Sequence, residues 1–348
     1  MATSIDQLLK IAVERNASDL HVAVGLPPTL RIDGGLQPLD GSALTGKAVA
    51  EMVLPMLSAA QKNRFTTERE LDLAYEVTGV GRFRVNLHWE KDVIGLVARV
   101  IPSKIPTMEE IDMPEIMYKL ARLEQGLVLV TGPTGHGKST ALAAMINLIN
   151  SERSAHIVTL EDPIEFLFEP KKSIVKQRQL GTDMLSFAEG LKHVLRQDPN
   201  VIMVGEMRDL ETIAAAITIA ETGHLVLATL HTYSAAQTID RIIDSFSPYQ
   251  QPQIRLQVSM TLKGVVSQRL LPKVGGGRVP VREVLINTPA VASLIRDNKI
   301  SQIKTVIETS AAEGMRPLDN ELIELVKQGA VAKDIARQYM LDPERLDK

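Results

Sequence analysis

The sequence has 348 residues, a net charge of −3, 45% hydrophobic residues and 3% aromatic residues. This length predicts two domains, and the balance of apolar and charged residues is typical of a globular chain rather than a disordered one. A slightly acidic chain with few aromatic side chains lacks the basic surface and the stacking platforms of nucleic-acid binders, so we expect no nucleic-acid partner.

The absence of cysteine and of long apolar runs narrows the class of protein further. With no cysteine the sequence excludes a disulfide framework and a thiolate zinc site. The first residues lack the basic region and apolar run of a signal peptide. No apolar stretch approaches the ~18 residues of a membrane span. We therefore expect a cytoplasmic protein.

Residues 1–101 read as a mixed α+β domain. Ser4 is positioned as the N-cap of a helix over 5–15, and a second helix is predicted over 46–61. Strands are predicted over 18–22, 29–32, 72–77, 82–89 and 94–101, with a hairpin turn at 33–35. Strands in this succession, with short turns between them, favour an antiparallel sheet.

A stiff connector with Pro102 and Pro106 opens a predicted linker over 102–118, because each proline fixes its own φ and restrains its predecessor. From 119 onward the pattern changes. Apolar runs at 127–131, 155–160, 201–204 and 225–230 alternate with helices, which predicts a parallel sheet covered on both faces. A further strand at 281–286 follows a loop at 275–277, and 290–348 is predicted to be mostly helical, with breaks near Gly314 and Gly329.

The first apolar run leads directly into the motif G-x-x-x-x-G-K-S, and a helix is predicted from there to about residue 150. The motif and its neighbour are Gly132, Pro133, Thr134, Gly135, His136, Gly137, Lys138, Ser139 and Thr140. Its glycines allow successive backbone N–H groups to line a nest for phosphates. Lys138 can reach the β- and γ-phosphates and the Ser139 hydroxyl can bind Mg²⁺. The sequence therefore predicts a nucleoside triphosphate site.

Carboxylates follow two further apolar runs. Glu206 ends the run at 201–204, where P-loop enzymes place a group that binds Mg²⁺ through water or polarises the attacking water. Glu161, Asp162 and Glu165 follow the run at 155–160, and the turn at Pro163 could direct Glu165 toward the γ-phosphate. A solvated acidic loop is the alternative.

His224 and His231 stand at the two ends of the run at 225–230. Seven residues of extended chain separate them by roughly 23 Å, and the odd spacing places them on opposite faces. Both cannot touch one γ-phosphate, so one is a candidate phosphate sensor while the other faces a neighbour or the core. A structural role is the alternative for each of them.

Arg82, Arg84 and Arg99 lie on predicted strands of the first domain, and Arg82 and Arg84 share a face. Surface solubility is one explanation for them. The other is that they act as arginine fingers on a nucleotide, which are worth 10³–10⁵ in rate.

Five stretches together resemble the secretion-superfamily ATPases, and within them the PilT-type twitching-motility ATPases that retract type IV pili. They are residues 17–21 (Ala-Ser-Asp-Leu-His), the P-loop, 161–166 (Glu-Asp-Pro-Ile-Glu-Phe), 204–209 (Val-Gly-Glu-Met-Arg-Asp) and 222–232 with both histidines. Residues 293–297 (Ser-Leu-Ile-Arg-Asp) are similar to part of the C-terminal retraction motif. His136 departs from the small residue usual there, at a position expected to offer its backbone N–H.

The resemblance implies a PAS-like first domain, a RecA-like second domain and a hexameric ring that hydrolyses ATP with Mg²⁺. It makes Glu165 the catalytic glutamate and Glu206 the Walker B residue. Glu206 and Ser139 would then bind the Mg²⁺ ion. It implies action on an inner-membrane platform protein, and a sister retraction ATPase is a further candidate partner.

Three alternatives stay open. Assembly-type pilus or type II secretion ATPases usually carry an extra N-terminal domain and paired cysteines, which we do not expect here. A RecA-like nucleic-acid motor would need the basic channel that this composition lacks. A nucleotide-gated scaffold would bind without turnover, which the acidic stretch at 161–166 disfavours.

Overall fold

The structure, a computed structural model, describes residues 4–32, 34–101 and 104–347. The chain divides into two compact units, Met1–Lys104 with Pro163–Leu167, and Ile105–Asp162 with Phe168–Lys348. We call them the N-terminal unit and the nucleotide unit. The predicted boundaries at 101/102 and 118/119 stay a prediction.

The N-terminal unit contains one six-stranded sheet whose neighbouring strands are all antiparallel, in the order β3-β2-β1-β6-β5-β4. The strands are β1 (Asp19–Val22), β2 (Thr29–Ile32), β3 (Gly35–Pro38), β4 (Glu70–Val77), β5 (Gly81–Glu90) and β6 (Val93–Ile101). The helices are α1 (Ile5–Glu14), α2 (Gly46–Val53) and α3 (Ala59–Glu68). Their apolar sides and one face of the sheet form a single core. The predicted antiparallel sheet is confirmed, while Asp33 of the predicted hairpin turn lies outside the described residues.

The prediction of one helix over 46–61 is wrong. After α2 a short 3₁₀ turn with Pro55 leads to Ser58, whose side chain and that of Gln61 form a capping box at the start of α3. Proline has no N–H to donate to the preceding turn. Ser58 has an extended backbone conformation and caps the first turn of a new helix. Two helices therefore replace one.

The nucleotide unit is built on a seven-stranded sheet in the order β13-β12-β7-β11-β10-β8-β9. The strands are β7 (Gly126–Thr131), β8 (His156–Glu161), β9 (Ile174–Gln179), β10 (Val201–Val204), β11 (Leu225–Leu230), β12 (Leu262–Pro272) and β13 (Arg278–Ile286). All pairs are parallel except β12 with β13. Every residue of β7, β10 and β11 is buried, which confirms the expected sheet covered on both faces.

Helices follow most strands of this unit. They are α4 (Glu115–Ala121), α5 (Lys138–Glu152), α6 (Phe187–Val194), α7 (Leu210–Glu221), α8 (Ala235–Asp244), α9 (Gln251–Thr261), α10 (Pro289–Arg296), α11 (Ile303–Thr309), α12 (Leu318–Lys327) and α13 (Lys333–Tyr339). The C-terminal part is mostly helical, and its breaks at Gly314 and Gly329 are confirmed, because both glycines have positive φ. Among the described residues of the chain, no helix is both long and apolar enough to span a membrane.

The sheet order decides which loops meet. Parallel strands β7, β11 and β10 are neighbours, so the segments after their carboxyl ends lie at one edge. Those segments are the P-loop after β7, Glu206 after β10 and His231 after β11. Strand β12 lies on the other side of β7, with Ser267 paired to Thr131, so residues 268–270 continue beside the P-loop.

Candidate nucleotide site

The P-loop turns from β7 into α5 through three glycines, all with a positive φ that disfavours other residues. Gly132 has φ +142°, and a Cβ there would lie 2.1 Å from the backbone oxygen of Gln268. Gly137 has φ +79° and is the N-cap of α5. Contact with β12 and the left-handed cap therefore explain two of the three glycines, and Gly135 adds a positive φ of +78° in open space.

Lys138 is folded over the loop that precedes it. Its side chain is largely buried, at 8% exposure, and Nζ donates to the carbonyl oxygens of Gly132 and Pro133, each at 2.9 Å. Nζ also lies 3.4 Å from Nδ1 of His231. The ammonium group thus sits in a polar pocket of the loop, where it has three donors to offer to acceptor oxygens.

Glu206 lies directly after β10, at the same edge of the sheet. A Cβ on the preceding Gly205 would come within 3.1 Å of the Leu160 carbonyl oxygen, so glycine lets this strand end pass close to β8. One carboxylate oxygen of Glu206 is 2.7 Å from the Arg208 guanidinium, and the other is 3.4 Å from Nε2 of His231. The carboxylate is therefore anchored but keeps one oxygen toward the histidine.

His231 stands between the two charged groups. Its Nδ1 is 3.4 Å both from Lys138 Nζ and from the Thr134 hydroxyl, while its Nε2 approaches Glu206 at 3.4 Å. His224, at the other end of β11, instead contacts the Thr222 hydroxyl and the Ile219 carbonyl at the end of α7. The expectation that only one histidine reaches the phosphate-binding edge agrees with these contacts.

His136 also uses its side chain, which the expectation of a backbone N–H offered at this position did not cover. Its Nδ1 accepts the Leu270 backbone N–H at 2.9 Å, and its carbonyl oxygen accepts the Gln268 amide at 2.8 Å. Burial, and then the positive charges of Lys138, Arg269 and Arg278, lower the pKa of His136. The ring therefore stays neutral at pH 7 and can accept this hydrogen bond at Nδ1.

The acidic stretch after β8 separates into two parts. Glu161 is buried and accepts hydrogen bonds from the Thr159 hydroxyl at 2.6 Å and the Gln177 amide at 3.1 Å. Asp162 and Glu165 are exposed, and Glu165 belongs to the segment Pro163–Leu167, which clusters with the N-terminal unit. The role expected for Glu165 stays a prediction.

The three candidate arginines lie in the N-terminal unit. Arg82 and Arg84 share the face of β5 opposite to its buried residues, and Arg84 is paired with Arg99 across β5 and β6. Arg99, 67% exposed, donates from Nε to Asp19, 7% exposed, at 2.9 Å. Asp19 therefore orients Arg99.

Sequence reasoning missed two supporting residues, Asp19 beside Arg99 in the N-terminal unit and Gln268 beside the P-loop. Asp19 was part of a recognised stretch, and its carboxylate on a predicted strand could have been interpreted as a partner for an arginine on another strand of the same sheet. Gln268, by contrast, lies 132 residues from the P-loop carbonyl that it binds. No local pattern marks it, because its environment exists only once β12 has paired with β7.

Comparison with known proteins places this geometry in a family. Residues 1–276 match the family described as type II/IV secretion system protein. The type IV pilus retraction ATPase PilT of Pseudomonas aeruginosa is 46% identical over 340 residues, which cover 98% of this chain and 99% of that protein. The twitching motility protein of Neisseria gonorrhoeae is 44% identical over 348 residues, which cover 99% of this chain and 93% of that protein.

Comparison with solved structures points to the same family as the sequence comparison. The crystal structure of the pilus retraction motor PilT with bound ADP superimposes with a TM-score of 0.93 at 43% identity, covering 99% of both chains. The mixed α/β architecture with two sheets is thus the architecture of that protein, and the expected resemblance to PilT-type ATPases is confirmed. The chain belongs to the type II/IV secretion system protein family and is a nucleotide-binding ATPase of the PilT type.

Proposed function

We propose that the chain is the ATP-driven retraction motor of type IV pili. The 46% identity to a pilus retraction ATPase over nearly the whole chain carries this proposal. In it, the chain forms a homo-hexameric ring in the cytoplasm, bound peripherally at the inner membrane. ATP hydrolysis turns a platform protein there and draws pilin subunits back into the membrane, which is the stroke behind twitching motility. A sister retraction ATPase is a further partner in this scheme.

We also infer the domain identities. The sheet of the N-terminal unit, with helices packed on one face, supports a PAS-like domain over 1–101. The mainly parallel sheet with a P-loop after β7 supports a RecA-like ATPase domain over 119–348, helical from about 290 and preceded by a linker over 102–118.

The geometry of the site, together with the resemblance to PilT-type ATPases, supports the following roles. Residues 132–140 hold the phosphates through backbone N–H groups, and Lys138 binds the β- and γ-phosphates. The Ser139 hydroxyl in the first turn of α5 and the Glu206 carboxylate are hard oxygen donors of the kind that Mg²⁺ prefers. When bound, the ion neutralises charge on the phosphates. His231 senses the γ-phosphate between Lys138 and Glu206, and Glu165 positions or deprotonates the attacking water.

Deletion of the gene tests the direction of the motor. Cells that lack the protein should still display surface pili, because assembly does not need a retraction motor, but they should fail to pull on a surface. Pilus counts by electron microscopy and force measurements on tethered beads measure the two properties. A strain carrying Lys138→Ala at the native locus is the control, because its protein is present without turnover and should behave like the deletion.

Deletion cells without surface pili would contradict the proposed retraction function and would favour an assembly-type ATPase instead. Normal pulling forces in the deletion strain would show that the protein is not needed for pilus retraction.

We further propose that Arg82, Arg84 and Arg99 include the residues that complete the nucleotide site of a neighbouring subunit. An arginine finger stabilises the charge that develops on the transferred phosphoryl group. Mixtures of Lys138→Ala and Arg84→Ala subunits should then regain part of the ATPase activity that each variant lacks, because some interfaces pair an intact P-loop with an intact finger. Phosphate release measured across mixing ratios reads this out.

The matched control mixes Lys138→Ala with Ser139→Ala subunits. Both variants damage the P-loop side of the site, so no interface in that mixture is complete. Complementation absent at every ratio in the arginine mixture, as in the control, would argue against Arg84 as a finger in trans.

A further inference from the structure

The P-loop is braced from outside its own motif by side chains of β12 and β13. Gln268 donates from Nε2 to the His136 carbonyl at 2.8 Å, and Arg278 donates to the Gly135 carbonyl at 3.2 Å. Two consecutive peptide groups of the loop are therefore held by their oxygens. Because a trans peptide is planar, the N–H groups of His136 and Gly137 point away from these donors. Fixing the two oxygens therefore also fixes the directions of two consecutive N–H groups, and consecutive backbone N–H groups are the elements of a phosphate nest.

Gln268 is itself held in a single orientation. Its side chain is 3% exposed, and its Oε1 accepts the Nε–H of Arg282 at 2.8 Å. An amide has donors at one end and an acceptor at the other, so engaging Oε1 with a guanidinium commits Nε2 to the His136 carbonyl. Both polar ends of a buried side chain are thereby satisfied.

Arg282 connects this contact to distant parts of the nucleotide unit. Its guanidinium, on a residue 2% exposed, also donates to the carbonyls of Asp112 at 2.7 Å and Ile111 at 2.8 Å. Its backbone N–H donates to Glu321 of α12 at 3.2 Å. Through its guanidinium and its backbone, this one buried residue thus joins the chain segment just ahead of α4, the C-terminal helices and, through Gln268, the P-loop.

We propose that Gln268 and Arg282 are positioning residues for nucleotide binding, in which Arg282 orients the Gln268 amide and that amide sets the His136–Gly137 peptide for the phosphates. Neither residue touches the nucleotide in this arrangement. The same guanidinium ties residues 111–112 to the P-loop, so a shift of that segment alters nucleotide affinity, and bound nucleotide resists the shift to the same extent.

The variant Gln268→Glu tests the first link. Glutamate has the same shape and keeps an acceptor for Arg282, but it has no donor for the His136 carbonyl. We expect the Kd of ADP and the KM of ATP to rise about tenfold, as for the loss of one buried hydrogen bond. The phosphates use the same peptide before and during reaction, so kcat should change much less.

The melting temperature of the nucleotide-free variant distinguishes positioning from folding and should stay near that of the unaltered protein. A folded Gln268→Glu variant with an ADP Kd within about twofold of wild type would overturn the proposal.

The second link is tested by Arg282→Lys, which keeps the charge but lacks the planar set of donors. It should raise the KM for ATP in the same way, and the double variant should bind no more weakly than the weaker single variant, because both act through one peptide. Fully additive effects would show two independent contributions and would contradict the relay.

A matched pair on the exposed β12–β13 hairpin gives a test that does not depend on buried substitutions. Arg278→Ala and Lys273→Ala each remove one exposed positive charge, but only Arg278 holds a P-loop carbonyl. Arg278→Ala should weaken ADP binding a few-fold and Lys273→Ala should leave it unchanged. If both substitutions weaken ADP binding equally, the effect comes from the change in net charge. That result would contradict the role assigned to the contact between Arg278 and the Gly135 carbonyl.

Discussion

Replacing Lys138 by alanine should abolish ATP hydrolysis in a protein that remains folded. The ammonium group lies within the P-loop, bound to the Gly132 and Pro133 carbonyls. We expect it to exchange these acceptors for phosphate oxygens when ATP binds. Removal of one preorganised donor to a developing charge costs about 10²–10³ in rate, and a cation that stabilises the transferred phosphoryl group in the transition state is worth about 10³–10⁵. We expect turnover at least about a thousandfold lower, which corresponds to about 4 kcal/mol.

Phosphate release by the purified variant measures this loss, and circular dichroism melting shows that the fold survives. Lys273→Ala is the matched control, because it removes an exposed lysine from the same unit. Unchanged turnover in Lys138→Ala would refute the role of the P-loop lysine.

The second large effect is expected for Glu165→Gln, which should bind ATP normally yet hydrolyse it at least about a hundredfold more slowly. Glutamine keeps the size of the side chain but cannot take a proton from the attacking water. Single-turnover measurements with bound ATP separate this chemical step from binding and product release.

Glu161→Gln is the comparison that the structure suggests. Glu161 is buried and accepts hydrogen bonds from Thr159 and Gln177, which is the environment of a structural carboxylate. Its replacement should lower the melting temperature but should leave the single-turnover rate close to that of the wild type. If Glu165→Gln reacts within a few-fold of wild type and Glu161→Gln does not, the catalytic role moves to Glu161.

Local patterns were sufficient for most of the regular elements and for the P-loop. Apolar runs such as 127–131 and 225–230 cannot stay in water, so they predict buried strands wherever they occur in the fold. Glycines at 132 and 137 are needed for conformations and close approaches that a side chain would prevent. The capping residues of α3 and Pro55 were also visible in the sequence. Together they predict a break between two helices within residues 46–61.

Tertiary structure alone decided which groups meet at the site. Lys138, Glu206 and His231 come together because β7, β11 and β10 are neighbours in the sheet, an order that differs from their order in the chain. Within the N-terminal unit, Asp19 likewise reaches Arg99 only because β1 pairs with β6. Gln268 reaches His136 only because β12 pairs with β7. Strand pairing over such distances depends on how the whole core packs, and so the residues that support the P-loop carry no signal in their own neighbourhood of the sequence.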